Sequence, residues 1–293
     1  MTEATNPYIG RFAPSPTGAL HTGSLLAALA SFLDAKANQG LWLVRMEDID
    51  PPREVSGAAD QILRQLDAHG LHWDGPVLYQ STRLTDYRDA LQTLKRANLL
   101  FKCYCSRAAL KKHGKHCTRT CQTSANNKDP AIRIHPSQHA LSTPTDLIQE
   151  NITFEPSREG DFILQRRDQL PAYQLATSLD DSYQNISRVI RGSDLLDSTP
   201  RQMYVLHCLK QKIPEYGHIP ILTNSHGQKL SKQNLAPQLK LEHAADNVRH
   251  CLYYLGTPCP PELAKAPIPS LLSWAITHWQ LKNVPTQATL PEV

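Results

Sequence analysis

The stretch RFAPSPTGALHTGSLLAAL, Arg11 to Leu29, is what most limits the folds open to this chain. A strand candidate, PYIGRFA, runs into it and is broken by Pro14, Pro16 and Gly18. From Ser24 to Gln39, Leu25, Leu26, Leu29, Phe32 and Leu33 recur at helical spacing until Asn38 and Gly40 end the run, and LWLVRM then reads as a buried strand. Strand, tight turn, helix and strand within about 40 residues make a βαβ unit, which requires parallel strands and a right-handed crossover. The expected class is therefore α/β with a Rossmann-type parallel sheet.

A second alternation comes much later. DFILQRR and ISRVIRG read as strands around a helical AYQLATSL. STPRQMYVLHCLKQK reads as a helix capped by Ser198 or Thr199, with Pro200 in the first turn where its missing N–H is harmless. HIPIL follows as a strand. Between the two halves, Phe101 to Glu155 is rich in Cys, His and Lys and shows little periodicity, so it reads as an insertion splitting the sheet. After Lys240 the pattern is mixed helical with a Pro-rich break, and the closing PTQATLPEV suggests no element. The expected division is 1–100 and 156–240 as halves of one catalytic domain, 101–155 as the insertion, and 241–293 as a short helical region.

Four of the seven cysteines crowd into the insertion as Cys103-x-Cys105 and Cys117-x3-Cys121. The first residues, MTEATNPYIG, lack the basic, then apolar, make-up of a secretion signal, and no apolar run reaches the ~18 residues of a membrane span. A cytoplasmic location and no membrane partner are expected, and in that setting clustered thiols point to metal rather than disulfides. Four thiolates suit a closed, structural Zn²⁺ site, which would stabilise a segment too poor in apolar residues to fold on its own core. His113 or His116 replacing one cysteine stays open. The net charge of +4 permits a polyanionic partner without naming one.

Chemistry concentrates at the bend. A glycine-bearing loop ahead of a helix N-terminus brings backbone close to phosphate, and Gly18, His21 and Gly23 stand where that contact would form. His21 there can donate to a phosphate oxygen as negative charge develops; by itself, the same segment is equally a Pro-rich turn capped by Thr22. GQKLSKQN adds Lys229 and Lys232, two mobile cations suited to a triphosphate, although such a turn alone is more often simply solvated.

Taken together, APSPTGALHTG and KLSK resemble the two signatures of class I aminoacyl-tRNA synthetases, with Ser24 where the second histidine usually stands, Leu230 for the usual Met and Gln233 for the final Ser. RFAPSPTGALHTG, RMEDID, AYQLA, VIRGSDLLDSTPRQ and KLSK, in this order from Arg11 to about Lys240, resemble glutamyl-tRNA synthetases. That resemblance implies activation of L-glutamate by ATP with Mg²⁺ on the phosphates: the α-carboxylate attacks the α-phosphorus, pyrophosphate leaves, and the mixed anhydride is passed to a hydroxyl. It further implies that Arg11 and Arg191 hold the two carboxylates in an order left open, that Tyr173 donates its hydroxyl, that Glu47 takes the ammonium, and that Ala13 and Ser15 complete the glutamate pocket. Thr17, Gly18, His21, Gly23, Lys229 and Lys232 would bind ATP, and His21, Lys229 and Lys232 would stabilise the charge in transit.

The cysteine segment resembles the insertion of a truncated branch of that family, the glutamyl-Q tRNA(Asp) synthetases, which often carry Tyr where Cys117 stands. The chain ends about sixty residues after Lys232, so no anticodon-binding domain is expected. The resemblance implies a queuosine-bearing tRNA(Asp) as acceptor, glutamylated on the modified base of its anticodon, with Lys111, Lys112 and Arg119 on the loop phosphates and a monomeric enzyme. A minimal glutamyl-tRNA synthetase charging the 3′ end of tRNA(Glu), a catalytically silent tRNA-binding paralogue and a small-molecule nucleotidyltransferase are the competing readings.

Overall fold

The computed structural model describes residues 7–114, 116–117, 121, 129–136, 144–149, 152–155, 159–224, 227–228 and 239–292. In chain order the elements are β1 (Ile9–Phe12), α1 (Thr22–Ala37), β2 (Leu41–Met46), α2 (Ala58–Ala68), β3 (Leu78–Tyr79), α3 (Leu84–Arg96), β4 (Leu100–Cys103), α4 (Arg107–Lys112) and β5 (Ala131–Ile134). They continue with β6 (Phe162–Gln165), α5 (Tyr173–Tyr183), β7 (Arg188–Gly192), α6 (Thr199–Cys208), β8 (Glu215–Ile219), β9 (Ile221–Thr223), α7 (Ala244–Tyr254), α8 (Ile268–His278) and β10 (Thr289–Pro291).

The βαβ expectation holds: β1 pairs in parallel with β2 from Ile9↔Leu41 to Phe12↔Val44, and β2 pairs in parallel with β3. On the other side of β1 lies β7, whose approach is fixed by the Ser187 N–H donating to the Ile9 carbonyl at 2.9 Å and by the Ile9 N–H donating to Ser187 Oγ at 2.9 Å. β7 in turn pairs in parallel with β8. Helix α1 packs on β1, β2 and β7 and is flanked by α7 and α8. Contact on opposite sides explains why Leu25, Leu26, Leu29, Phe32 and Leu33 are all buried and why the helix is apolar nearly all round. Trp42 of β2 meets Phe32 edge-on at 5.2 Å and donates its indole N–H to Ser31 at 2.9 Å. Asp34, buried on α1, accepts from the Trp279 indole at 3.0 Å and from Arg188 at 3.3 Å, tying the helix to the chain's far end and to β7.

The structure departs from the sequence pattern in several places. The strand expected in DFILQRR forms as β6, but joins β5 and β4 in an antiparallel sheet rather than a parallel one. That sheet packs Ile134, Phe162 and Leu164 against Leu94, Leu175 and Val205 of the neighbouring helices in a second core. HIPIL splits into β8 and β9 because Pro220 has no N–H to continue a ladder. PTQATLPEV, expected to be irregular, supplies β10, paired in parallel with β9. Its order comes from that partner, and nothing local announces it. Ser198 stands at the cap position of α6 but has helical dihedrals, and its hydroxyl accepts from Gln174 Nε2 at 3.1 Å instead of capping. Within 101–155, α4 is a single short turn-and-a-half started by Ser106, whose Oγ accepts from the Ala109 N–H at 3.1 Å.

Candidate active site

The C-terminal ends of β1, β7 and β8 open into one cavity of about 650 Å³. It lies where β2 leaves one side of β1 and β7 occupies the other, the crevice in which open parallel sheets hold their ligands. Arg11, Ala13, Ser15, Thr17, His21, Gly23, Glu47, Tyr173 and Arg191 all line it. Gly18 does not, and its φ of 129° is a conformation that glycine adopts without strain. Lys229 and Lys232, like Arg119, lie outside the described residues.

Several polar groups of the pocket are held by neighbours. Arg11, 3% exposed, donates from Nε and Nη2 to the two carboxylate oxygens of Asp181 at 3.1 and 3.2 Å. Glu47 follows β2 directly. Its N–H donates to the Pro14 carbonyl at 2.9 Å, and its Oε1 accepts from Thr177 Oγ1 at 2.9 Å and faces Arg45 at 3.5 Å. Burial pushes the Glu47 carboxyl above its usual range, against the opposing pull of Arg45 and Arg11. Burial likewise pushes the Tyr173 hydroxyl upward, so it stays protonated and can donate. His21 sits at the N-cap position of α1 in extended conformation, φ −118° and ψ 172°, and its side chain does not cap the helix.

Arg191 differs from Arg11, Arg45 and Arg83. Nη1 donates to Gln202 Oε1 at 2.8 Å, Nη2 to Thr199 Oγ1 at 2.7 Å, and Nε to His218 Nε2 at 3.1 Å. All are neutral acceptors, and among the described residues no carboxylate pairs with it. His218 accepts on Nε2, so its proton is on Nδ1 and is donated to Asp146. Burial holds His218 below the usual histidine range and keeps it neutral. By contrast, Arg11 and Arg45 share Asp181 and Glu47, and Arg83 pairs with Asp180 at 2.7 Å. Among the described residues, Arg191 is thus the pocket guanidinium, only 4% exposed, that has no carboxylate partner and borders open space.

The supporting residues escaped the sequence reading. Asp180 and Asp181 belong to a helix whose other buried residues include Leu175 and Ala176, and two adjacent acids inside such a helix are the local sign that cations lie opposite. Gly192 and Asp194 stand in the VIRGSDLLDSTPRQ stretch and line the cavity; a Cβ on Gly192 would meet Asp194 Oδ1 at 2.5 Å. Gln202 closes the same stretch, while for Asp146 and His218 nothing local distinguishes them.

Away from the cavity, the Sγ atoms of Cys103, Cys105, Cys117 and Cys121 gather within 4.8 Å of one another. Cys105 and Cys117 are 3.7 Å apart and Cys117 and Cys121 are 3.4 Å apart. These separations exclude a disulfide and approach the ~3.8 Å edge of a tetrahedron with metal–sulfur bonds of ~2.3 Å. Burial and the neighbouring thiols push the Cys105 thiol upward, as expected where four sulfurs cannot all ionise without a cation. The group can hold one metal ion. His116 does not join it and faces Asp161 instead.

The family model for the catalytic domain of class I tRNA synthetases (E and Q) matches residues 9–252. A glutamyl-Q tRNA(Asp) synthetase of Neisseria meningitidis serogroup C is 45% identical over 295 residues, covering 97% of this chain and 99% of the relative. One from Pseudomonas aeruginosa PAO1 is 44% identical over 290 residues, covering 98% and 99%. Among solved structures, a glutamate tRNA ligase from Elizabethkingia meningosepticum in complex with its amino acid superposes with a TM-score of 0.78 at 20% identity, over 98% of this chain and 67% of that one. No helix among the described residues is long and apolar enough to cross a membrane.

Proposed function

This chain belongs to the class I tRNA synthetase family of the E and Q type, an ATP-dependent ligase family, and we propose that it activates L-glutamate with ATP and transfers it to the queuosine base of tRNA(Asp). The observation that carries the reading is the convergence of Arg11, Glu47, Tyr173 and Arg191 with His21 in one cavity. Glutamate brings two carboxylates and one ammonium. Arg191, the guanidinium without a matching anion, receives one carboxylate, and Arg11, steadied on Asp181, takes the other. Glu47 accepts the ammonium, whose arrival favours the ionised form that burial alone disfavours. Tyr173 donates its hydroxyl, and Ala13 and Ser15 close the pocket beneath.

ATP then lies over the opening of α1, with phosphates toward Thr17, Gly23 and the first-turn amides. His21 donates to the α-phosphate as charge builds on it. Lys229 and Lys232 would neutralise the departing pyrophosphate, and Mg²⁺ on the phosphates would supply further charge compensation when bound. Positioning and charge stabilisation supply the catalysis, and no protein nucleophile is needed. In the thiol cluster, a Zn²⁺ ion held by Cys103, Cys105, Cys117 and Cys121 is structural. The queuosine acceptor rests on the names of relatives that match almost end to end.

The test is transfer of labelled glutamate to tRNA(Asp) whose terminal adenosine has been removed, with and without queuosine. Trimmed tRNA(Asp) accepting glutamate only when it carries queuosine is the expected outcome. Dependence on the terminal adenosine, and indifference to queuosine, would transfer the assignment to charging of a 3′ end.

A further inference from the structure

Next to the thiol cluster, three other metal-binding side chains meet. Pairing of β5 with β6 through Ile134↔Phe162 brings the residue after one strand, His135, beside the residue before the other, Asp161. The link preceding Cys117 adds His116. His135 Nδ1 lies 2.8 Å from Asp161 Oδ1, and His116 Nδ1 lies 3.8 Å from the same oxygen. One donor atom from each of the three falls within 4.8 Å of the others. We propose that His116, His135 and Asp161 form a second metal site, distinct from the four thiols, that binds a borderline divalent transition metal such as Zn²⁺.

Geometry and chemistry both favour a cation here. Ligands around an ion with bonds of ~2.1 Å sit ~3.0–3.4 Å apart, and the observed separations bracket that range. The two imidazoles have side chains 51% and 47% exposed, so each can turn by the fraction of an ångström to an ångström required. The carboxylate cannot move as freely. Its side chain is 1% exposed and its Oδ2 accepts the Cys117 N–H at 2.6 Å, which holds Oδ1 toward the histidines. Two imidazole nitrogens and one carboxylate oxygen select Zn²⁺, Co²⁺, Ni²⁺ or Fe²⁺ over Mg²⁺ or Ca²⁺, which prefer all-oxygen sets. Three protein ligands leave a coordination position for water on the exposed side, so the ion exchanges more readily than one enclosed by four thiolates. The Cys117 amide also joins the two centres, because the carboxylate that would hold the second ion is the acceptor for the backbone of a thiol ligand.

Full-length protein dialysed against Zn²⁺ alone and analysed for metal per chain tests the site, with His116→Ala and His135→Ala as variants and circular dichroism to confirm their folding. Both histidines are half-exposed, and the contact from the Tyr204 hydroxyl to residue 135 uses its backbone carbonyl, which the variant keeps. Two equivalents in the parent protein and one in each variant are expected, with the second equivalent leaving first to a competing chelator. One equivalent in the parent, or a second that survives both substitutions, would overturn the site. Loss of both ions from a folded variant would also overturn it, since the histidines would then belong to the thiol centre.

Discussion

Asp181→Asn probes the buried charge arrangement on which the candidate glutamate pocket rests. Asp181 is 2% exposed, accepts from Arg11 at 3.1 and 3.2 Å, and forms an ion pair with Arg45, whose Nη2 lies 2.9 Å away. Burial pushes its carboxyl upward, but Arg11 and Arg45 outweigh this and hold it below the usual carboxylate range, so it is ionised near neutrality. The amide has the same shape. It leaves Glu47 and Asp180 to balance Arg11 and Arg45, and it turns N–H donors toward a guanidinium. Removing one member of a buried ion pair costs ~3–5 kcal/mol. At ~2 °C per kcal/mol, the low end of the range for domains somewhat smaller than this one, Tm should fall by ~6–10 °C. Arg11 also loses its anchor. If a charge-assisted hydrogen bond of ~1.5–3 kcal/mol is compromised, KM for glutamate in ATP–pyrophosphate exchange should rise ~10-fold or more. Asp67→Asn is the control, because that carboxylate is exposed and pairs with an equally exposed His72. Asp181→Asn melting within ~2 °C of the parent, with an unchanged KM, would refute the account of the charge network.

Glutamine should support ATP–pyrophosphate exchange at least ~10²-fold less well than glutamate, because its amide leaves a buried guanidinium unmatched at a cost of ~3–5 kcal/mol; equal exchange would refute the pairing of the side-chain carboxylate with either arginine. His21→Ala should lower the activation rate by ~10²-fold with little change in glutamate affinity, measured by single-turnover adenylate formation, and an unaltered rate would reduce the Pro-rich bend to a turn. His218 gives a pH dependence. Its pKa is depressed mainly by burial, so the unfolded chain takes up the proton first, and stability present above about pH 6.5 is lost as pH falls toward the folded value. Urea midpoints between about pH 5 and 7.5 should therefore decline less steeply in His218→Asn than in the parent, and parallel slopes would exclude a neutral His218 beside Arg191.

What the sequence disclosed and what it hid divide along the range of the interactions. The βαβ start was legible because its signals are local: two prolines and a glycine before a helix whose leucines recur every three or four residues, then LWLVRM. The lining residues were legible because they stand in quoted motifs, and the cavity gathers nine of the ten described ones. β10 was not, since it is ordered by β9 some 67 residues earlier. Nor was the support behind Arg191. Asp146 lies 72 residues before His218, in the stretch that reads as an insertion, yet its carboxylate fixes the tautomer of the histidine that accepts from Arg191. A pairing of that span leaves no periodicity in the sequence. It has a functional consequence, however. The segment that carries the thiols also sets the hydrogen bonding of Arg191, so a change that displaces Asp146 should be felt in the candidate glutamate pocket without touching any residue that lines it. Asp146 Oδ1 also accepts the N–H groups of Ile148, Gln149 and His218, which locks that segment onto β8. The stretch 144–149 therefore forms part of the support behind the candidate active site.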